Sequence, residues 1–410
     1  MTETAPANTN RNIIFLVLVA SLGYFVDIYD LLVFSIVRMP SLLAIGVKPA
    51  DVKAVGVTII NWQMFGLLIG GLLWGIIGDK LGRIKVLFGS ILLYSIANFI
   101  NGKVTGVEEY IIVRFIAGIG LAGELGAGIT LVTETMKTTK RGYGTMIVSV
   151  IGLFGAAAAN LVAKNLDWHW AYYVGGILGI FLLLLRLGTF ESGLYKDIES
   201  KQVSKGNFLM LFTSFSRFIK YLYCILVGAA NWFVVGILIT LAPEFGKALG
   251  ATTPLNAGDG VFYSYIGIAI GGIFAGLLSQ ATRSRRLTVV VFLIISAVSV
   301  VCYLSATNIT PAQFTWLCLF LGFGVGYWPI FVTIPAEQFG TNIRATVTTT
   351  VPNFIRASLI PINAAFAAFS ANYGMIKSGY IMMAILTVIA LFSISQLKET
   401  FHKDLDYLEE

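Results

Sequence analysis

Five ionisable side chains, Asp27, Asp30, Arg114, Glu124 and Arg356, lie inside runs of otherwise apolar residues. A charge at the centre of a membrane helix costs ~2.5–3.5 kcal/mol on insertion scales, so each needs a partner or a task. Asp27 and Asp30 are three residues apart and therefore neighbours on one helix face. Two adjacent carboxylates in a low dielectric rarely both ionise, so at least one should hold a proton, as a proton carrier must. The alternative is that both pair permanently with bases and hold the bundle. Arginine stays protonated and offers a planar fork of donors suited to carboxylate or phosphate. With no acid evident in the runs around it, Arg356 is expected to face an anionic ligand or Glu124 across a cavity; a permanent salt bridge is the other reading. Trp232, Tyr327 and Asn353 sit at similar depth and are candidate lining residues.

The elements that carry these residues follow from composition. Of 410 residues 57% are hydrophobic and 12% charged, where a soluble domain carries about 25% charged. A span needs ~20 mostly apolar residues. Twelve such runs are read, at 12–37, 55–78, 84–102, 109–136, 142–163, 168–187, 218–242, 261–280, 287–306, 312–335, 345–371 and 375–396. An even number puts both ends of the chain on one side. That side collects nineteen Lys and Arg against seven on the other, with Arg114 and Arg356 inside spans. Positive-inside bias then makes it the cytoplasm. The net charge of +7 follows from the same bias and implies no nucleic-acid partner. Cys224, Cys302 and Cys318 lie in apolar runs without C-x-x-C spacing, and His169 and His402 fall near run ends, so no metal or cofactor is expected.

At 1.5 Å per residue, Glu124 lies roughly 18 Å and Arg114 roughly 33 Å from the cytoplasmic end of the fourth run. Asp27 and Asp30 lie roughly 22 and 27 Å from residue 12, and Arg356 roughly 18 Å into the eleventh run. Asp27 thus shares a level with Glu124, and Asp30 leans toward Arg114. A carboxylate that holds Arg114 when charged and releases it when protonated is a two-state element coupled to protons.

The chain also repeats. Glu134 precedes Arg141 by seven residues and Glu337 precedes Arg344 by seven, both at an offset of 203. Gly75 and Gly276 are offset by 201, which sets Ser279 to Arg286 opposite Gly78 to Lys85, with Gln280 where Asp79 would call for an acid. The expected domains are a six-helix half at 1–187, a linker at 188–217 carrying Glu191, Lys196, Asp197, Glu199, Lys201 and Lys205, a second half at 218–397 and a tail at 398–410.

Gly75-Ile76-Ile77-Gly78-Asp79-Lys80-Leu81-Gly82-Arg83-Ile84-Lys85 resembles the signature loop between helices 2 and 3 of the major facilitator superfamily. The resemblance implies an all-α membrane protein of twelve transmembrane helices in two pseudo-symmetric halves, with substrate bound between them. It also implies that Asp79, with Arg83 nearby, clasps the cytoplasmic end of helix 11, and that Glu134, Arg141, Glu337 and Arg344 belong to the same gate. Gly23 to Leu31 resembles the D-x-Y-D helix 1 of phosphate:proton symporters and the D-G-x-D of aromatic-acid:proton symporters. Arg114 to Glu124 is similar to their R-x-x-x-G-x-G-x-G-G-D/E helix 4, and Arg356 stands where organic-anion transporters carry an arginine. The implied roles are proton coupling for Asp27, Asp30 and Arg114, and substrate binding for Glu124 and Arg356.

Two departures bear on the substrate. Gly236 stands where the phosphate family places an acid after its Trp-Phe, and Leu125 replaces an aromatic on helix 4. The helix 7 glutamine pattern of sugar porters is absent too. A small organic anion, a monocarboxylate or aromatic acid, taken up with protons is the expected function. The alternatives are phosphate or sugar symport and proton-driven export, although residues 142–163 lack the proline of many exporters. No nucleophile, metal cluster or phosphate loop supports an enzyme. The expected setting is the inner membrane with cytoplasmic termini, and the expected working unit is a monomer in lipid.

Overall fold

Each apolar run folds as helix. The computed structural model describes residues 10–137, 140–188 and 206–409, so the linker charges expected at 191–205 lie outside the described residues. Ten helices in order are α1 (Asn10–Ala44), α2 (Val52–Leu81), α3 (Arg83–Asn101), α4 (Val107–Thr135), α5 (Arg141–Asn165), α6 (Trp168–Leu185), α7 (Phe215–Ile239), α8 (Ala257–Thr282), α9 (Arg285–Leu304) and α10 (Pro311–Gln338). The last apolar stretch, Arg344–Gln396, has 53 residues. Straight, it would run roughly 80 Å, far beyond the ~30 Å core of a bilayer. It divides into α11 (Arg344–Ala357) and α12 (Leu359–Gln396), and α12 itself turns at Gly374, where φ is 76°. Glycine reaches that φ without a Cβ clash. The eleventh crossing therefore takes in α11 and the start of α12, and the twelfth begins after Gly374.

Local chemistry fixes several of the starts. Thr310 and Gln313 form a reciprocal capping box at α10, Ser284 accepts from Leu287 N at α9, and Asn256 accepts from Gly258 N at α8. Such caps satisfy amide protons that no intrahelical carbonyl can reach. The outer surface is apolar, with Ile14, Phe181, Leu184, Trp316, Val388 and Phe392 exposed, while buried positions hold many of the polar side chains. That inversion suits a bundle whose solvent is hydrocarbon.

In the first half α1 packs on α5, α2 on α4, and α3 on α4 and α6; in the second, α8 packs on α10 and α9 on α10 and α12. The halves meet where α2 lies against α11 and α5 against α8. The second and fifth helices of each half thus meet the fifth and second of the other, as a twofold repeat requires. At Gly75 an added Cβ would stand 2.9 Å from Thr346 Cα, so α2 and α11 approach this closely only because that residue is glycine.

The halves differ in continuity. Helices α1 to α6 run unbroken among the described residues, whereas α7 is interrupted at Val227–Gly228 and winds as a π-helix over Val234–Ile239. Helix α10 breaks between Gly324 and Trp328, and the eleventh crossing breaks at Ser358. Glycines 228, 236, 322, 324 and 326 and Pro329 and Pro361 cluster at these points, and these residue types weaken helices.

Candidate functional site

Arg356 lines a pocket at the interface of the halves. Its other walls are Tyr24 and Ile28 of α1, Leu153 of α5, Asn231, Trp232 and Val235 of α7, Tyr265 and Ile268 of α8, and Val325 and Trp328 of α10. The empty volume is ≈ 330 Å³. Arg356 Nη1 donates to Asn353 Oδ1 at 3.2 Å, one turn back on α11. Asn353 is itself held, because its amide donates to Ala122 O of α4 and Thr349 O, both at 2.8 Å. The guanidinium carbon lies 5.9 Å from the Trp232 ring centroid and 5.8 Å from that of Trp328, within cation–π range.

The partner of Arg356 is Asp27 rather than Glu124. Arg356 Nη2 stands 3.5 Å from Asp27 Oδ2, close enough for attraction but not aligned for a hydrogen bond. Among the described residues, both Asp27 oxygens, Arg356 Nε and Nη2, and the indole N–H groups of Trp232 and Trp328 have no aligned hydrogen-bond partner. Buried polar groups are rarely left so. Four donor atoms thus belong to three residues lining one small space, and a loosely held carboxylate, Asp27, stands behind Arg356 outside that lining. Donors in that excess are a complement for an anion with several acceptor atoms.

Glu124 belongs elsewhere. Its carboxylate accepts from Ser90 Oγ at 2.7 Å and from Arg186 at 2.8 and 3.1 Å, inside the first half. Arg186 follows the last residue of α6 and is 2% exposed. A buried glutamate in need of a cation, and a base closing an apolar run, are the sequence signals that point to this pair. Glu124 is not among the residues lining the pocket, and neither is Tyr327, whose hydroxyl donates to Val227 O at 2.9 Å and braces α10 on the α7 break.

Asp30 and Arg114 do meet. Arg114 Nη1 lies 3.2 Å from Asp30 Oδ1, Nη2 donates to Asp30 O at 2.9 Å, and Nε donates to Gln63 Oε1 of α2 at 3.3 Å. Around this pair α3 presents a buried polar stripe, Ser90, Tyr94, Ser95, Asn98 and Asn101, that hydropathy alone passes over.

A second constellation closes the end of the bundle that carries the α2–α3 loop. Asp79 accepts from Ala345 N at 3.0 Å and Thr346 N at 2.8 Å, capping α11 across the interface. Arg83 donates to Glu134 at 2.8 Å, and Arg344 donates to the same Glu134 oxygen at 3.2 Å, so one carboxylate bridges both halves. In the second half Arg285 meets Glu337 at 3.2 Å, with Ser279 Oγ as its other acceptor where the acid of the loop is missing. The repeat is visible atom by atom, since Arg141 Nε donates to Thr133 O and Arg344 Nε to Ala336 O, each at 3.0 Å. The segment 397–409 crosses this end, accepting from Arg141 at Lys403 O and from Arg344 at Leu405 O. Toward the opposite end the described residues link the halves through Arg38–Glu244 at 3.4 Å, Lys164–Asp259, and Asn363 donating to Asn61 Oδ1 at 3.0 Å, contacts less buried than the Glu134 cluster. There a vestibule opens between residues 35–40, 160–168 and 254–257.

Comparison with known proteins agrees with this architecture. A sequence model of the Major Facilitator Superfamily matches residues 17–358. The sialic acid transporter NanX of Escherichia coli is 25% identical over 394 residues, covering 91% of each chain. The niacin transporter NiaP of Acinetobacter baylyi is 24% identical over 365 residues, covering 80% of each. A solved structure of the proton:xylose symporter XylE superposes with a TM-score of 0.76 at 19% identity, covering 97% of this chain and 98% of that one.

Proposed function

Because the chain belongs to the Major Facilitator Superfamily, and so is a multi-pass membrane transporter of small molecules and not an enzyme, we propose that it takes up a small organic anion together with protons. The carrying observation is the set of unpartnered donors on Arg356, Trp232 and Trp328 in a pocket between the halves. Niacin and sialic acid, named for two of the relatives, are both carboxylic acids, which supports the same chemistry.

Coupling follows from the sharing of Arg356. In the empty protein Asp27 is its counter-ion. An incoming carboxylate takes the guanidinium fork, and Asp27, left without a cation, takes a proton. The buried charge stays neutral before and after, which avoids the several kcal/mol that an uncompensated buried ion costs. Anion and proton therefore load together. Asp30, one turn along α1, stays paired with Arg114 and leaves the exchange to Asp27. Asn353 aims the guanidinium, and Trp232 supplies both a face and a donor.

We take 1–187 and 218–397 as the halves that rock about this site. The end carrying the α2–α3 loop is the cytoplasmic one by its excess of Lys and Arg. In that frame the Asp79, Arg83, Glu134 and Arg344 cluster is the inner gate of an outward-facing or occluded state in an inner membrane. Asp79→Asn weakens an acid at a helix N-terminus, by ~0.3–1 kcal/mol when exposed and up to ~2 kcal/mol when partly buried. The expected result is a several-fold rise in labelling of cysteines placed on the inner side of the pocket, with a matching fall on the outer side. Unchanged labelling on both sides would remove Asp79 from the gate.

The function is tested by a binding screen on the purified protein. Small carboxylates, aromatic acids, phosphate and neutral sugars are compared at two pH values. Carboxylates should bind, and more tightly at the lower pH; preference for a neutral sugar, or for phosphate, would overturn the reading.

A further inference from the structure

A groove opens far from the pocket, where α7 begins, α12 ends and the segment 397–409 crosses. Its empty volume is ≈ 1120 Å³, and its charged lining consists of Arg217, Lys220, Lys398, Lys403 and Glu409. Among the described lining residues four are basic and one is acidic: Glu409 meets Lys220 at 3.1 Å and Arg217 at 3.6 Å, and Lys398 and Lys403 add two further bases to the groove. Burial, and then the positive charge of Lys220, lower the pKa of Lys403 from the ordinary lysine value, while Glu409 acts against them.

Two further features converge on the same space. Ser214, Phe215 and Ser216 line the groove, so it receives the N-terminus of α7, where Ser214 makes no side-chain cap. The first amides of a helix carry partial positive charge and suit a phosphate oxygen. Phe215 is 80% exposed at the rim, and Phe212 is 49% exposed one turn earlier in the chain. A cationic cleft with an aromatic lip at the ends of two membrane helices fits a phosphate that carries hydrocarbon chains. A free phosphate would use the bases but gain nothing from the lip.

We propose that this groove binds the headgroup phosphate of an anionic phospholipid, with its acyl chains running past Phe215 onto the apolar surface. Glu409 acts as the built-in counter-ion that the phosphate displaces from Lys220. A bound lipid would brace α7 against α12 on the face closed by the segment 397–409. The proposal does not depend on what is transported.

The test is a lipid titration of the purified full chain followed by native mass spectrometry. The probes are phosphatidylglycerol and phosphatidylcholine, with inorganic phosphate as competitor. Phosphatidylglycerol should be retained in preference to phosphatidylcholine. A base near an anionic lipid is worth ~1 kcal/mol, so Lys398→Gln, at an exposed position, should weaken retention about fivefold. Glu409→Gln should strengthen it by a similar factor, a gain that loss of a merely structural contact would not produce. Equal retention of both lipids, or variants that bind as wild type, would overturn the proposal. Displacement of the lipid by inorganic phosphate would assign the groove to a free anion and overturn it as well.

Discussion

Replacing Arg356 by glutamine is expected to weaken carboxylate binding by at least about thirtyfold. Removing one member of a buried, hydrogen-bonded charge pair costs about 2–5 kcal/mol, and each 1.4 kcal/mol is tenfold in affinity. Glutamine keeps most of the side-chain length and leaves one amide to donate, so the fold around Asn353 has little reason to change. Asp27, deprived of its cation, becomes neutral by taking a proton. The variant therefore loses both the anchor for the anion and the competition that couples it. Arg356→Lys keeps the charge without the planar fork and should recover only part of the affinity. The measurement is equilibrium binding of the best carboxylate from the screen. Wild-type affinity in Arg356→Gln would mean that the anion is held elsewhere.

The second large effect belongs to Asp27→Asn. Asparagine imitates the protonated carboxyl permanently, so anion binding should no longer respond to pH. On the proposed coupling, one proton is taken up with each anion in the wild type, so affinity should fall about tenfold per unit rise in pH once Asp27 is ionised before the anion binds. The sign is fixed by competition, because the charged form of Asp27 holds Arg356 and the neutral form yields it. Reconstituted wild-type protein should concentrate substrate about tenfold for each unit of pH difference, the equivalent of 1.36 kcal/mol. Asp27→Asn should concentrate none, while exchange of labelled for unlabelled substrate at equal pH continues. Accumulation that survives in the variant would move the proton to Asp30 or Glu124. Asp30 is less suited to the exchange, since Arg114 is also held by Asp30 O and Gln63 and has no reason to leave.

Much of the scaffold was legible because it rests on length, periodicity and repetition. The helices follow the apolar runs, and the offset of 203 reappears as matched hydrogen bonds of Arg141 and Arg344. Counting rise per residue also leans Asp30 toward Arg114, and the two meet. What such counting lacks is azimuth. Asp27 and Glu124 share a level, yet helix rotation turns Asp27 toward α11 and Glu124 toward α6. The same gap hid Arg186, whose position at the end of an apolar run looked like a loop. It hid the stripe on α3 too, because serine and asparagine barely disturb a hydropathy average although Ser90, Asn98 and Asn101 are fully buried. Tyr327 reads from sequence as a lining aromatic, but the break at Gly326 turns it back onto α7.

The unequal continuity of the two halves has a mechanical consequence. Unbroken α1 and α5 form one wall of the pocket, and the segmented α7, α10 and eleventh crossing, backed by the continuous α8, form the other. Cargo arriving between them meets a stiff template on one side and a set of short levers on the other. Wrapping can then proceed by small bends in those levers before the larger body swings, which splits a single tall barrier into several lower ones.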